Sequence, residues 1–297
     1  MRSFSGFRRF FFVALLIATL AFLSTLVKAD IKVDVSSKTV TNGSFLLLTV
    51  DFPDQSTSVA DVLVIFEGSR LRLFPAPDLG SKVYQAVCPV PYLQDKGLTN
   101  IKIRYKEKSV AKIKRLKFRV VDGAYPSETI TVDSKHIKPS LADQRRIVRE
   151  RQENRGLYHK ITNQRYWDGF ILPVQNIVTS EYGTRRVFNG SFKSFHQGVD
   201  IRAAEGTPIM ASATGVVALA RDLFYSGQTV VIDHGFGIFT TYGHMSLVSV
   251  SVGQKVNGGD VIGLSGMTGR VSGPHLHWAT VINGVRVNPL LVIEWLK

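Results

Sequence analysis

From Ile31 to Val121 the apolar residues fall in short runs: IKVDV, FLLLTVDF, VLVIFEG, RLRLF, VYQAVCPV, TNIKIRYK and RLKFRVV. Turn formers such as Asn42-Gly43, Pro53-Asp54 and Pro75-Ala-Pro77 separate several of them. About seven strands at this spacing predict an immunoglobulin-like β-sandwich. In the last run Leu116, Phe118 and Val120 alternate with Lys117 and Arg119, which gives an inner apolar face and a solvated basic one. This half offers no triad, metal set or phosphate loop, so it reads as a spacer or binding module.

After Asp122-Gly123 the composition changes. A strand is expected around Thr129 to Val132. Ser140-Leu-Ala-Asp143 is a capping box for a charged helix running to about Gly156. Its arginines are interleaved with Glu150 and Glu153 and lack aromatic companions for base stacking, so the segment reads as a solvated connecting helix and not as a nucleic-acid surface. His136 and His159 read as surface residues. From about Trp167 the strand pattern resumes, rich in glycine: ILPV, GTPIMAS, TGVVALA, QTVVIDHG, IFTTYG, VIGLSG and PHLHWATVI. Asp233-His-Gly235 reads as a hairpin turn, which gives His234 a structural role. The glycines from Gly263 to Gly273 do not form a dinucleotide fingerprint and no βαβ unit surrounds them.

The N-terminus adds a compartment. Arg2, Arg8 and Arg9 precede the apolar run Phe10 to Leu23, and Val27-Lys28-Ala29 ends in a small residue, the pattern of a signal peptide cleaved after Ala29. The run is shorter than the roughly 20 residues of a membrane span, so membrane contact is expected only through an uncleaved signal segment. Its greasiness favours the general secretory route over twin-arginine export. Cys88 is the single cysteine, so no intramolecular disulfide can form, and it reads as a buried, inert thiol. The formal charge is +14; removal of Arg2, Arg8, Arg9 and Lys28 leaves +10 on the mature chain. After export the polyanions within reach are the wall and the membrane surface.

The chemistry gathers in the C-terminal half. His196 and Asp200 lie four residues apart in SFHQGVDI, where Val199-Asp-Ile201 reads as a strand entered from a turn. Fully extended, their α-carbons would stand about 13 Å apart, so sharing one ion requires a bend at Gln197-Gly198. In GPHLHWATV, His275 and His277 project from one strand face about 7 Å apart. His244 follows in TTYGHMS. Together these residues supply three ligands of the types zinc prefers and leave spare imidazoles for proton transfer.

His196-x-x-x-Asp200 with His275-Leu-His277, and GTPIMASATGVV and YGHMS between them, resembles the LytM/lysostaphin-type zinc metallopeptidases of the M23 family. The resemblance runs from about Ile177 to Pro289 and includes Ser180-Glu-Tyr-Gly183. It implies one zinc ion per chain, held by His196, Asp200 and His277, with His275 and His244 acting on the reaction. The His-Glu-x-x-His motif is absent, so no glutamate stands ready as base; His275 is the first choice as base and His244 as the residue that positions water or stabilises the oxyanion, an order that the sequence leaves open. Tyr242 is a further candidate, with a core tyrosine as the plainer reading.

The expected molecule is mainly β: residues 1–29 a signal peptide, 30–122 the sandwich, 123–166 a connector with a short helix, and 167–297 the M23-type peptidase domain. By resemblance it is an exported zinc endopeptidase acting on peptidoglycan stem peptides in a Gram-negative periplasm. D-alanyl cross-links are favoured over glycyl bridges. The rivals are a non-hydrolytic activator of a wall amidase and a wall-binding protein with a vestigial site. Retention of all five residues argues against the activator.

Overall fold

The computed structural model describes residues 30–53, 57–107, 109–130, 138–188, 190 and 192–296. The expected signal peptide, His136 and Val132 lie outside them. Among the described residues no helix is long and apolar enough to cross a membrane.

The run FLLLTV is explained by a strand covered on both faces. Phe45–Asp51 lies inside a four-stranded sheet between Lys32–Val35 and Val83–Pro89, with Phe74–Pro75 at the far edge. Leu46, Leu48 and Val50 face a five-stranded sheet across a shared core with Val64, Ile101, Ile103 and Phe118. Successive side chains point to opposite faces, so Phe45 and Leu47 turn the other way, into the core of the C-terminal half beside Trp167 and Phe170. Alternation is absent here because neither face meets water. In Val110–Val121, by contrast, Phe118 and Val120 are buried while Lys117 and Arg119 are exposed, as their alternation predicts. Among the described residues the sandwich has nine strands, more than the seven expected, since the pieces Thr39–Thr41 and Phe74–Pro75 are too short for a periodic signal.

The C-terminal half is a ten-stranded, largely antiparallel sheet. His275–Ile282 runs through its middle, between Val199–Arg202 and Ile238–Val248. The hairpin turn expected at Asp233-His-Gly235 falls two residues later. Gly235 pairs with Ile238, and Phe236 and Gly237 both take positive φ, 48° and 78°, the conformation a two-residue hairpin loop requires. His234 therefore ends a strand inside the core. Ile171 to Val174, expected as a strand, is irregular backbone.

The connector belongs to the second half. Ser127–Ile130 pairs in parallel with Arg185–Phe188. Helix α1, Leu141–Tyr158, starts as its capping residues predict: the Ser140 hydroxyl accepts from the Asp143 N–H at 3.1 Å. It runs past Gly156, and it is solvated over most of its surface, as expected, but packed on one side. Ile147 and Tyr158 are buried, Arg146 pairs with Glu150 and Asp222, and Glu150 accepts from the Phe224 N–H at 3.0 Å. Where the sandwich meets this half, aromatic rings form a seam: Tyr92 stacks on Phe195 at 3.9 Å between centroids, Tyr125 packs tilted against Tyr92, and Tyr182 packs edge-on against both tyrosines.

Candidate metal centre and groove

The strand pairing explains why residues 77 positions apart in the chain meet. Asp200 sits opposite His277 in the antiparallel ladder of Val199–Arg202 and His275–Ile282. The bend expected at Gln197-Gly198 brings His196 to the same point. Gly198 is required there by close approach: a Cβ would fall 2.5 Å from the Trp278 carbonyl oxygen and 2.7 Å from the His277 ring. The result is a convergence of three donors. His196 Nε2 and His277 Nδ1 lie 3.0 Å apart, and Asp200 Oδ1 is 3.0 Å from the first and 2.9 Å from the second.

The hydrogen bonds fix which nitrogens carry protons. His196 Nδ1 lies 3.0 Å from the Glu181 carbonyl oxygen, which can only accept, so Nδ1 donates and Nε2 is left as a lone pair. That lone pair points at a carboxylate oxygen, and two acceptors face each other in a buried place. A cation between them resolves the conflict, and the donor set, two imidazole nitrogens and a carboxylate, is the type that binds zinc-like ions. Burial pushes the His277 imidazole down to about 4 against a partial pull upward from Asp200, so it is neutral with its lone pair available near pH 7.

The other oxygen of Asp200 has its own partner, which sequence reasoning missed. Arg186 Nη2 donates to Asp200 Oδ2 at 2.6 Å and to Ser180 Oγ at 2.9 Å, while its Nε donates to Glu128 Oε1 at 2.6 Å. An arginine among many in a basic chain carries no sequence signal for this role. The orienting carbonyls of the histidines were equally invisible.

His275 and His244 complete the cluster. His275 Nδ1 donates to the Gly273 carbonyl at 2.8 Å, which turns its Nε2 inward, 3.5 Å from Asp200 Oδ1. His244 Nδ1 donates to the Thr268 carbonyl at 2.8 Å, and its ring centroid is 4.9 Å from that of His275. His244 has φ of +63°, an unusual backbone for a non-glycine residue, held by its N–H bond to the Ser226 carbonyl at 2.7 Å. Burial, then the neighbouring His277 and His275, depress its pKa to about 3, so the ring is neutral. All five residues expected from sequence thus stand together. Tyr242 does not join them: its buried hydroxyl accepts from the Ser212 N–H and from Thr240 in the core. His159 is exposed, and His234 is fully buried against Thr214 and Thr240.

This cluster lies in an open groove of about 500 Å³. Helix α1 lines it through Ile147, Arg151 and Tyr158, together with Thr241, Arg270 and Arg286.

Residues 194–289 match the model of Peptidase family M23. Over 95 residues the chain is 47% identical to peptidoglycan DD-endopeptidase ShyA of Vibrio cholerae, a match covering 32% of this chain and 22% of that one. It is 46% identical over 97 residues to DD-carboxypeptidase/endopeptidase Mpg of Neisseria meningitidis, covering 33% and 22%. Each match thus spans about a fifth of the relative's length. A crystal structure from Pseudomonas aeruginosa, designated peptidase M23, aligns over 83% of this chain and 92% of its own with a TM-score of 0.63 and 26% identity, so the likeness extends into the N-terminal sheets. By sequence, residues 194–289 form a domain of peptidase family M23, and over most of its length the chain is similar in fold to a structure designated peptidase M23.

Proposed function

We propose that the protein is an exported, zinc-dependent peptidoglycan endopeptidase that opens D-alanyl cross-links between stem peptides in a Gram-negative periplasm. The observation that carries this reading is the convergence of His196 Nε2, His277 Nδ1 and Asp200 Oδ1 beside two further imidazoles in an open groove. The names of the Vibrio and Neisseria relatives support peptidoglycan as the substrate. We assign His196, Asp200 and His277 as ligands of one zinc ion, which when bound supplies a Lewis acid for the scissile carbonyl and makes water more acidic.

The protein's own groups do the rest. Arg186 neutralises the outward oxygen of Asp200 and orients the carboxylate. His275, its Nδ1 proton committed to Gly273, presents Nε2 as the base that takes a proton from water and later gives it to the leaving amine. His244 in the same tautomer presents an acceptor, which suits holding water and does not suit donating to an oxyanion. Residues 30–122 act in this reading as an accessory sandwich, 123–166 as the connector and 167–297 as the peptidase domain.

The test is hydrolysis of purified cross-linked muropeptide dimers by the zinc-loaded protein. Monomers with a new D-alanine carboxylate and a free side-chain amine are expected, with pentaglycine left intact. Survival of dimers with trimming of monomer stems would make the enzyme a carboxypeptidase. No hydrolysis, with stimulation of a wall amidase, would replace the reading by that of an activator.

A further inference from the structure

Arg270 lines the groove and is not explained by the chemistry above. Its guanidinium is clamped between two rings, 4.5 Å from the centroid of Phe188 and 4.4 Å from that of Tyr225. Two rings this close hold the guanidinium in place and cannot accept all of its N–H donors, which remain to bond a further group. Its backbone is pinned too: the Arg270 N–H donates to the Tyr225 carbonyl at 2.8 Å. The clamp draws on both sides of the centre. Phe188 is on the strand that carries Arg186, and Arg270 follows by two residues the Thr268 carbonyl that orients His244.

Among the described residues no carboxylate meets this cation. Glu150, which shares the groove, is engaged by Arg146 and the Phe224 N–H, and Asp200 is engaged by Arg186. The charged neighbours acting on Arg270 are Arg186 and Arg151, of like sign, and burial with these charges lowers its pKa. A guanidinium taken partly out of water beside other cations is costly unless an anion arrives. The stack holds the side chain extended in advance, so little rotamer freedom is lost when one does.

We propose that Arg270, held between Phe188 and Tyr225, is the specificity-determining residue of the groove and receives a free carboxylate of the peptide substrate beside the scissile bond. This deepens the endopeptidase reading and rests on it. The planar fork matches a carboxylate bidentately, and an amide in the same place would lose both the charge and one acceptor oxygen.

The experiment compares zinc-loaded wild type, Arg270→Gln and Arg270→Lys on two probes: a cross-linked muropeptide dimer with free carboxylates, and the same dimer with those carboxylates converted to amides. Wild type should favour the carboxylate dimer about ten- to a hundredfold in kcat/KM, chiefly through KM. Arg270→Gln should bring that ratio close to one, and Arg270→Lys should leave an intermediate ratio, because it keeps the charge and loses the fork. Bound zinc shows that each variant is folded. If Arg270→Gln lowers the rate on both dimers by one common factor, or if wild type does not distinguish them, the assignment is wrong while the endopeptidase reading stands. If wild type cleaves neither dimer, both fall together.

Discussion

The two halves of this chain use the same building material and treat polar groups in opposite ways. In the sandwich the interior between the sheets is aliphatic and aromatic, and the buried polar residues among those described, Asn42, Ser44 and Thr57, sit at its margins. The C-terminal sheet buries His196, Asp200, His234 and His244 together with Thr229, Thr240 and Ser265. Each buried polar group costs free energy unless it is bonded, and here the imidazoles are bonded to carbonyls and hydroxyls one by one. The contrast locates function: polar burial is tolerated where chemistry needs fixed lone pairs and is avoided where strands only have to cohere.

Breaking the ligand set should give the largest effect. Asp200→Ala or His277→Ala should lose stoichiometric metal and all turnover, measured by metal analysis and muropeptide hydrolysis; tight metal retained by either would remove that residue from the set. His275→Ala and His244→Ala should keep the metal and lower the rate on the order of 10²–10⁴-fold. Loss of metal from one of these would mean that a ligand and a proton carrier had been exchanged.

In the sandwich the same kind of truncation should act differently. Leu48 is fully buried, and Leu48→Ala should cost about 2–5 kcal/mol of stability by denaturant unfolding. The metal affinity of the folded fraction should not change, and a parallel loss of affinity would show that the two cores are not separable.

Glu128→Gln probes the connector's support of the centre at smaller scale. It weakens the anchor of Arg186 and should reduce metal affinity by about ten- to a hundredfold without abolishing activity. It follows that a fragment beginning near Tyr158, which lacks both Glu128 and most of helix α1, should bind metal more weakly than the longer chain.

The smallest effect is one of pH. Burial lowers the His234 pKa from 6.5 to about 4. Between these values the unfolded chain binds the proton and the folded chain does not, so stability should fall as pH drops from about 6.5 towards 4. Urea titrations of His234→Gln and the parent across that range should diverge in slope; parallel curves would show that His234 does not carry the effect.

Much of this was legible in the sequence, for reasons that differ by element. Val110–Val121 alternates because one face meets water, and Ser140 to Asp143 announces a helix because caps are local. The five site residues were legible because histidines and an aspartate at those spacings have few other uses in a β-rich chain. Glu128, Arg186 and Arg270 were not, since their roles come from contacts 58 positions apart in the chain, as for Glu128 and Arg186, or from rings stacked across the groove. Nor were the carbonyls of Glu181, Thr268 and Gly273, because a backbone oxygen has no residue type. The hairpin was misplaced by two residues because Asp233-His-Gly235 carries turn-forming types while Phe236, a poor turn former, occupies the loop.

The aromatic seam of Tyr92, Tyr125, Tyr182 and Phe195 has a consequence for how the molecule melts. Tyr92 donates from its hydroxyl to the Gly183 carbonyl at 3.1 Å, and the Asn288 N–H donates to the Gly43 carbonyl at 2.9 Å, so rings and backbone tie the two halves together. A sandwich joined only by a linker would unfold as an independent calorimetric unit. With its Phe45 and Leu47 embedded in the neighbouring core, it should instead share one cooperative endotherm, and metal bound near His196 should raise the melting temperature of strands that never touch it.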